Sequence, residues 1–372
     1  MSLTVRRAAT EASDAEHAVE ELAQGLDPDA AVIFCFVSPR YDLDALGAAL
    51  ASRFPDTCVV GATTSGQIGS RGFQPVGIVA TSVGGPLRAE AFVIEPLDQT
   101  MATVARVSTT LQARLDETPK GEQAFGFLLV DGLSMREERL ASALYTSVAR
   151  LPVIGGSAGD DLGFVKTHVY ANGRFRQNAA VLTLVRTPLP FVPVKVMHHV
   201  PTDQKMVITA ADPEQRIVYE INGRPAAEAY AEMVGVTVEE LGPEAFSKHP
   251  VMLRIGSEHY IRSIQQIEDG AIRFYCAIER GLVLTLAKPA RVMESLQEAF
   301  RSVEKAIGPP SLVLGCDCIL RRLELEDLGM AEEVGAFFAE QGVVGFSTYG
   351  EQIDGLHVNQ TFTGIALGGA VS

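Results

Sequence analysis

Apolar and polar positions along this chain switch between a strand period and a helix period, and the switching recurs. Residues 14–25 carry a helical stripe. Ala31–Val37 (AVIFCFV) is then an unbroken apolar run of β-branched and aromatic residues ended by Ser38-Pro39, which predicts a strand buried on both faces. Leu43, Leu46, Leu50 and Phe54 follow at helical spacing behind Asp42, a residue suited to cap a helix. Cys58–Val83 reads as a strand, a glycine-rich turn and a second strand, and Ala89–Ile94 as one more strand. The same order returns with the stripe Val104, Val107, Leu111 and Leu115, and with the buried strand Ala124–Val130. Ser134-Met-Arg-Glu137 then forms a capping-box sequence opening a helix that carries Leu140, Leu144 and Val148. Pro152–Val185 is the second glycine-rich pair and Phe191–Met197 a further β-like run. A third round has the stripe Val292, Leu296, Phe300, Val303 and Ile307, broken by Pro309-Pro310. The strand Ser311–Leu320, a helix with Leu328, Val334 and Phe337, and the closing pair Gly342–Gly368 complete it.

The repeating unit is helix–strand–helix–strand–strand. Each glycine-rich pair opens on Val-Val-Gly or Val-Ile-Gly, and the distance from apolar strand to that tripeptide is nearly constant (Val32 to Val59, Phe125 to Val153, Val313 to Val343). The expected fold class is α/β (α+β), with repeated units forming mixed sheets because a strand–helix–strand crossover is parallel and the added strand antiparallel. Between rounds two and three lies an inserted, mainly antiparallel α+β block. Its signals are strands at Met206–Thr209 and Arg216–Ile221, an Asn222-Gly223 turn, a helix at Pro225–Val234, and a meander over Met252–Ile255, Tyr260–Ile267 and Ala271–Ile278 turning at Asp269-Gly270. Val283–Leu286 leads back to the repeat. The expected domains are 1–200, holding two units, and 201–372, holding the inserted block 201–289 and the third unit 290–372.

Composition narrows the function. Lys and Arg number 31 against 46 Asp and Glu, a net charge of −15, which argues against nucleic acid or an anionic membrane as the main partner. No stretch of about 18 uninterrupted apolar residues is present, so no membrane span is expected. The first residues lack an apolar secretory core, and the expected compartment is the cytoplasm. The five cysteines are odd in number and mostly sit in apolar runs, so buried free thiols are expected rather than disulfides or a zinc site at Cys316-x-Cys318.

Candidate chemistry is sparse. Polar turns after strands (Ser38-Pro39-Arg40, Asp131 to Ser134, Asp317 to Arg322) and the glycine-rich turns would converge on a pocket if the units pack about a common axis, since ligands sit beyond strand carboxyl ends in α/β sheets. Gly155, Gly156, Asp160, Tyr349, Glu351, His357 and Asn359 are the candidate lining residues. The loop Gly155 to Asp161 lacks the Lys-Ser/Thr of a phosphate loop, and no nucleophile–base pairing stands out, so no enzyme is expected. His198-His199 is the conspicuous pair. The surrounding run VPVKVMHHVPT is β-like, which predicts rings on opposite faces with one at most entering a given pocket.

Several longer stretches resemble the FIST family of prokaryotic sensory domains: VVGATTSGQIG, GGSAGDDL, EINGRPAAEAYAEMVG and VVGFSTYGEQIDGLHVNQTFTGIALG, which together span nearly the whole chain. VMHHVPT, ITAADPEQRIVYEING, FYCAIERGLVLTLA and GCDCILRRLELE are similar to a nitric-oxide-sensing subgroup of it, the NosP type. The resemblance implies FIST N-terminal and C-terminal domains over the two halves and a cytosolic sensor binding heme b through one imidazole. His198 or His199 would be the iron ligand, with His168 in reserve. It further implies nitric oxide or another small ligand as the signal, and a partner histidine kinase or cyclic-di-GMP enzyme, with a homodimer possible. The broader family also implies a haem-free alternative, a sensor of a small metabolite such as an amino acid.

Overall fold

The computed structural model describes residues 2–368. The first unit runs β1 (Thr4–Thr10), α1 (Ala15–Gly25), β2 (Val32–Val37), α2 (Leu43–Arg53), β3 (Cys58–Thr63), β4 (Gln67–Gly69), β5 (Gly72–Gln74) and β6 (Ile78–Gly84). The second runs β7 (Arg88–Ile94), α3 (Thr100–Asp116), β8 (Gln123–Val130), α4 (Glu137–Ser147), β9 (Val153–Ser157), β10 (Val169–Ala171), β11 (Arg174–Arg176) and β12 (Ala180–Thr187). The third opens with β13 (Phe191–Val196). The inserted block then comprises β14 (His199–Asp212), β15 (Ile217–Ile221), β16 (Arg224–Pro225), α5 (Ala226–Val234), α6 (Pro243–Lys248), β17 (Val251–Ile255), β18 (Glu258–Arg262), β19 (Ile264–Glu268), β20 (Ala271–Phe274) and β21 (Val283–Pro289). The third unit resumes as α7 (Val292–Ile307), β22 (Pro310–Cys318), α8 (Ile319–Asp327), α9 (Ala331–Glu340), β23 (Val343–Thr348), β24 (Glu351–Ile353), β25 (Leu356–Val358) and β26 (Phe362–Gly368).

Each unit builds a mixed sheet on one plan, as the α/β expectation required. The apolar strand (β2, β8 or β22) is central, pairing parallel with the following strand and antiparallel with the unit's last strand. The glycine-rich pairs are therefore not hairpins, which corrects the expectation from sequence. Their two long strands lie on either side of the central strand, and the segment between them leaves as a short hairpin for a neighbouring sheet. The hairpin β4–β5 joins β23 of the third unit, β10–β11 joins β3 of the first, and β24–β25 joins β9 of the second. The three units are thus interlocked in a closed ring of exchanged hairpins.

The Val-Val/Ile-Gly signature has a steric cause in this plan. A Cβ on Gly61 would fall 2.2 Å from the carbonyl oxygen of Cys35, one on Gly155 1.8 Å from that of Leu128, and one on Gly345 1.8 Å from that of Gly315. The same glycine in each unit lets its parallel strand approach the central strand more closely than any side chain permits.

One face of each central strand turns inward and the other toward helices, as an unbroken apolar run requires. Phe34, Phe36, Phe127, Leu129, Leu314 and Phe346 meet in a core shared by all three units; Phe36 stacks on Phe346 with centroids 4.7 Å apart, and Phe34 meets Phe127 edge-on at 5.3 Å. Ile33, Cys35 and Val37 face the helices α1 and α2 instead. The inserted block has its own core around Met206, Val218, Tyr230, Phe246 and Phe274. It leaves and returns on two paired strands, with His199 opposite Pro289.

Four local expectations fail. Leu328 lies past the end of α8 and is exposed, not on one helix with Val334 and Phe337, and the expected strand Tyr260–Ile267 divides into β18 and β19, which pair with different strands. Ser134 does not cap α4: its hydroxyl accepts from the Arg136 N–H, and Glu137 is buried with a different partner. The expected strand Ser311–Leu320 ends at Cys318, and the expected polar turn Asp317 to Arg322 is the end of β22 followed by the first residues of α8, whose Leu320 and Leu325 are buried against different parts of the core.

Candidate functional site

His198 and His199 lie where the backbone leaves β13 for the inserted block. Met197 and His198 belong to neither strand, so the strict alternation of side chains is interrupted there, and the expected opposite-facing rings are not found. The two imidazoles are neighbours, centroids 4.2 Å apart, and both address one carboxylate of α8. The His198 Nε2–H donates to Glu324 Oε2 at 2.9 Å, and His199 Nε2 lies 3.2 Å from Glu324 Oε1 without the angle of a hydrogen bond. All three residues are buried. Burial lowers His198 to about 4, keeping it neutral; burial would raise Glu324, but the two imidazoles outweigh it and hold the carboxyl at about 2. One turn earlier on α8, fully buried Arg321 donates to Asp317 at 2.6 Å.

The group expected at this pair, haem, does not fit it as folded. A porphyrin needs one imidazole nitrogen facing an open, largely apolar slot. Here Nε2 of each ring is turned onto a buried carboxylate, beside a second imidazole and close to a guanidinium, and the cleft described below is lined by neither histidine. His168, the reserve ligand, is half-buried in another part of the ring, its backbone exchanging hydrogen bonds with Thr63 at 2.9 and 3.0 Å.

The glycine-rich turns do converge. Ser65 N donates to Ser347 O at 3.1 Å, Ser347 N to Gly66 O at 2.8 Å, Gly159 N to Thr63 O at 2.9 Å, and Ser157 N to Gly350 O at 2.8 Å, stitching the three units at one end. The candidate lining residues are gathered there but are occupied with one another. Gly155 and Gly156 sit inside β9. Asp160 accepts from Phe164 N, Val165 N and Lys166 N at 2.9, 2.7 and 2.9 Å and from the Tyr349 hydroxyl, clamping its own loop. Glu351 accepts from the Thr348 and Thr361 hydroxyls at 2.5 and 2.7 Å. His357 Nδ1 accepts from Gln352 at 3.1 Å, and Asn359 accepts from Ser263 N at 3.2 Å.

A cleft of about 440 Å³ opens elsewhere, between α4 and the inserted block. Met101, Met135, Ala143, Pro213 and Ala277 give it apolar walls; Arg136, Arg139, Glu138, Glu214 and Glu279 give it charges of both signs. Arg216 forms its floor. Held in a left-handed turn (φ 57°) beyond β14, it donates to Glu137 at 2.5 Å, Glu138 at 2.6 Å and the Tyr275 carbonyl at 2.5 Å. Burial pushes Glu137 up to about 7. Burial would also raise Glu138, but His357, Arg216 and the Ala277 N–H outweigh it and lower it. These residues escaped the sequence reading. Their trace was the dense charge of Arg136-Glu137-Glu138-Arg139, with a partner nearly eighty positions away.

No helix among the described residues is long and apolar enough to cross a membrane. An uncharacterised protein of Methanocaldococcus jannaschii is 22% identical over 295 residues, covering 70% of this chain; the chain spans only 57% of that relative's length. Cyanuric acid hydrolase from A. caulinodans overlaps 50% of this chain and 70% of its own at 12% identity, with a TM-score of 0.27 that carries no argument about fold or activity. The FIST N domain matches residues 31–224 and the FIST C domain residues 226–354. Such domains are sensory ligand-binding modules, and on this match across most of its length the chain belongs to the FIST family.

Proposed function

We propose that this chain is a haem-free sensor of a small zwitterionic metabolite of the amino-acid class, seated in the cleft between α4 and the inserted block. The carrying observation is the cleft's lining: guanidinium groups at Arg136 and Arg139, carboxylates at Glu138 and Glu279, and apolar walls between them. Its volume, about 440 Å³, suits such a ligand, and clefts between structural blocks are common ligand seats. Arg136 and Arg139 now pair with Glu214 across the cleft mouth, at 3.4 Å for Arg136. A ligand carboxylate would take the place of Glu214 and loosen or tighten the joint. Because the ligand touches both blocks, it has a different affinity for each arrangement of the joint, which a signal requires. The partner that reads the joint, by the resemblance, is a histidine kinase or a cyclic-di-GMP enzyme.

The nitric-oxide reading rests on the paired imidazoles, and their engagement with Glu324 weighs against it. One experiment separates the two. Purified protein is screened by thermal melting against amino acids and titrated with haem. The expected result is a melting rise for one ligand class, about 3 kcal/mol of added stability at a hundredfold excess over Kd, that Arg139→Ala abolishes, with no stoichiometric Soret band. One equivalent of haem whose Soret band moves with nitric oxide, and which is lost in His198→Ala or His199→Ala, would overturn it.

A further inference from the structure

The His198, His199 and Glu324 cluster has no part in the repeat plan or in the cleft. We propose that it is a mononuclear site for a divalent transition-metal cation of the zinc or ferrous class, bound by two imidazoles and one carboxylate without a macrocycle.

Geometry comes first. One ligand atom from each residue lies within 4.8 Å of the others. Nε2 of His198 is 2.9 Å and Nε2 of His199 3.2 Å from an oxygen of Glu324. Tetrahedral ligands at about 2.0–2.1 Å from zinc lie roughly 3.3 Å apart, and both histidine–carboxylate separations fall within a few tenths of an ångström of that. The second observation is orphaned polarity. His199 Nε2 and Glu324 Oε1 face each other in the interior, and neither makes a hydrogen bond. Buried polar atoms left without a partner forfeit the hydrogen bonds they would make to water, and one cation satisfies both.

The donor set selects the class. Imidazole nitrogen suits zinc, iron, copper and nickel, whereas magnesium and calcium take oxygen shells. No thiolate is among the three donors, which disfavours cuprous copper. Two histidines and one carboxylate leave coordination positions open, as in non-haem ferrous sites and in zinc sites that exchange a ligand. The backbone is fixed around the donors: the His198 carbonyl accepts from Ala290 N at 2.6 Å, and His199 is paired with Pro289. Since the histidines belong to the stalk of the inserted block and Glu324 to α8, the ion would fasten the block to the third unit.

The test uses untagged full-length protein. Chelator-treated protein is titrated with Co²⁺ alone, followed by visible absorption and melting temperature, and then challenged with Zn²⁺. The expected result is one equivalent of Co²⁺ per chain, ligand-field bands of a four- or five-coordinate ion, a higher melting temperature, and displacement by Zn²⁺. His199→Ala and Glu324→Gln should each weaken uptake at least tenfold, while the exposed-histidine variant His17→Ala leaves it unchanged. Absence of saturable uptake by the wild-type protein overturns the proposal whether or not the variants fold. Uptake that survives in both folded variants overturns it as well. Neither result bears on the amino-acid cleft, which is scored by its own ligand and by Arg139→Ala.

Discussion

Glu351 shows what single residues do in this molecule. The carboxyl is fully buried where the exchanged hairpin β24–β25 meets β9, and its oxygens accept from two threonine hydroxyls and the Thr361 N–H. Burial pushes it up to about 8 from 4.5, and those hydrogen bonds only partly oppose the rise. The folded state therefore holds a proton that the unfolded chain gives up. Below about pH 4.5 both states are protonated and the full stability is present; it falls as pH climbs toward 8. Glu351→Gln keeps the shape without the titration. Urea melts between pH 5 and 8 should show the variant losing less stability than wild type, by on the order of 1 kcal/mol per pH unit. Coincident slopes would mean that Glu351 ionises freely in the fold. Sequence alone grouped Glu351 with Asp160, Tyr349, His357 and Asn359 because turns after strands tend to converge. Convergence does occur, but Tyr349 meets Asp160 and Asn359 meets Ser263 from distant parts of the chain, pairings that no local pattern encodes.

At the scale of elements, amphipathic stripes and unbroken apolar runs were dependable, since burial of one helix face or of both strand faces leaves its period in the chain. Asp42 caps α2 as expected, accepting from Asp44 N and Ala45 N at 3.1 Å. Elements failed where a tertiary partner outcompeted a local one. Glu137 answers the long-range demand of Arg216 rather than the local one of Ser134. That contact also makes the turn after β14 a latch between the inserted block and α4. Arg216→Met should cost about 3–5 kcal/mol in a denaturant melt, because two carboxylates lose their counter-charge in the interior. Adding Glu137→Gln to Arg216→Met should recover part of the loss. If the double variant is no more stable than the single one, the cost lies in the turn's left-handed backbone and not in the charges.

The whole molecule depends on the exchange of hairpins. Cut at residue 200, the chain would keep two complete runs of helices and long strands, yet β9 would lose β24–β25, and β4–β5 would lose β23. Exposed edges of that kind pair with other chains. A 1–200 fragment is therefore expected to aggregate or to lack cooperative melting, whereas the same fragment mixed with 201–372 during refolding should regain it. A soluble, cooperatively melting 1–200 fragment would show that the exchanged hairpins are dispensable. The interlocking also explains why a threefold repeat in sequence does not give three separable bodies: the core around Phe34, Phe127 and Phe346 is shared.

The sequence by itself did not determine the short exchanged hairpins or α8; it determined the long strands and most helices, the three occurrences of the unit and the place of the inserted block. These depend on the period of burial and on a glycine that each unit needs at one close strand contact, and both are written locally. Only the tertiary structure decided which sheet each hairpin joins, that His198 and His199 face one carboxylate, and that Arg216 floors a cleft with Glu137 and Glu138. Those outcomes join residues tens to hundreds of positions apart, and buried charge and hydrogen-bond satisfaction select them. Such terms depend on what is brought near and have no signature along the chain.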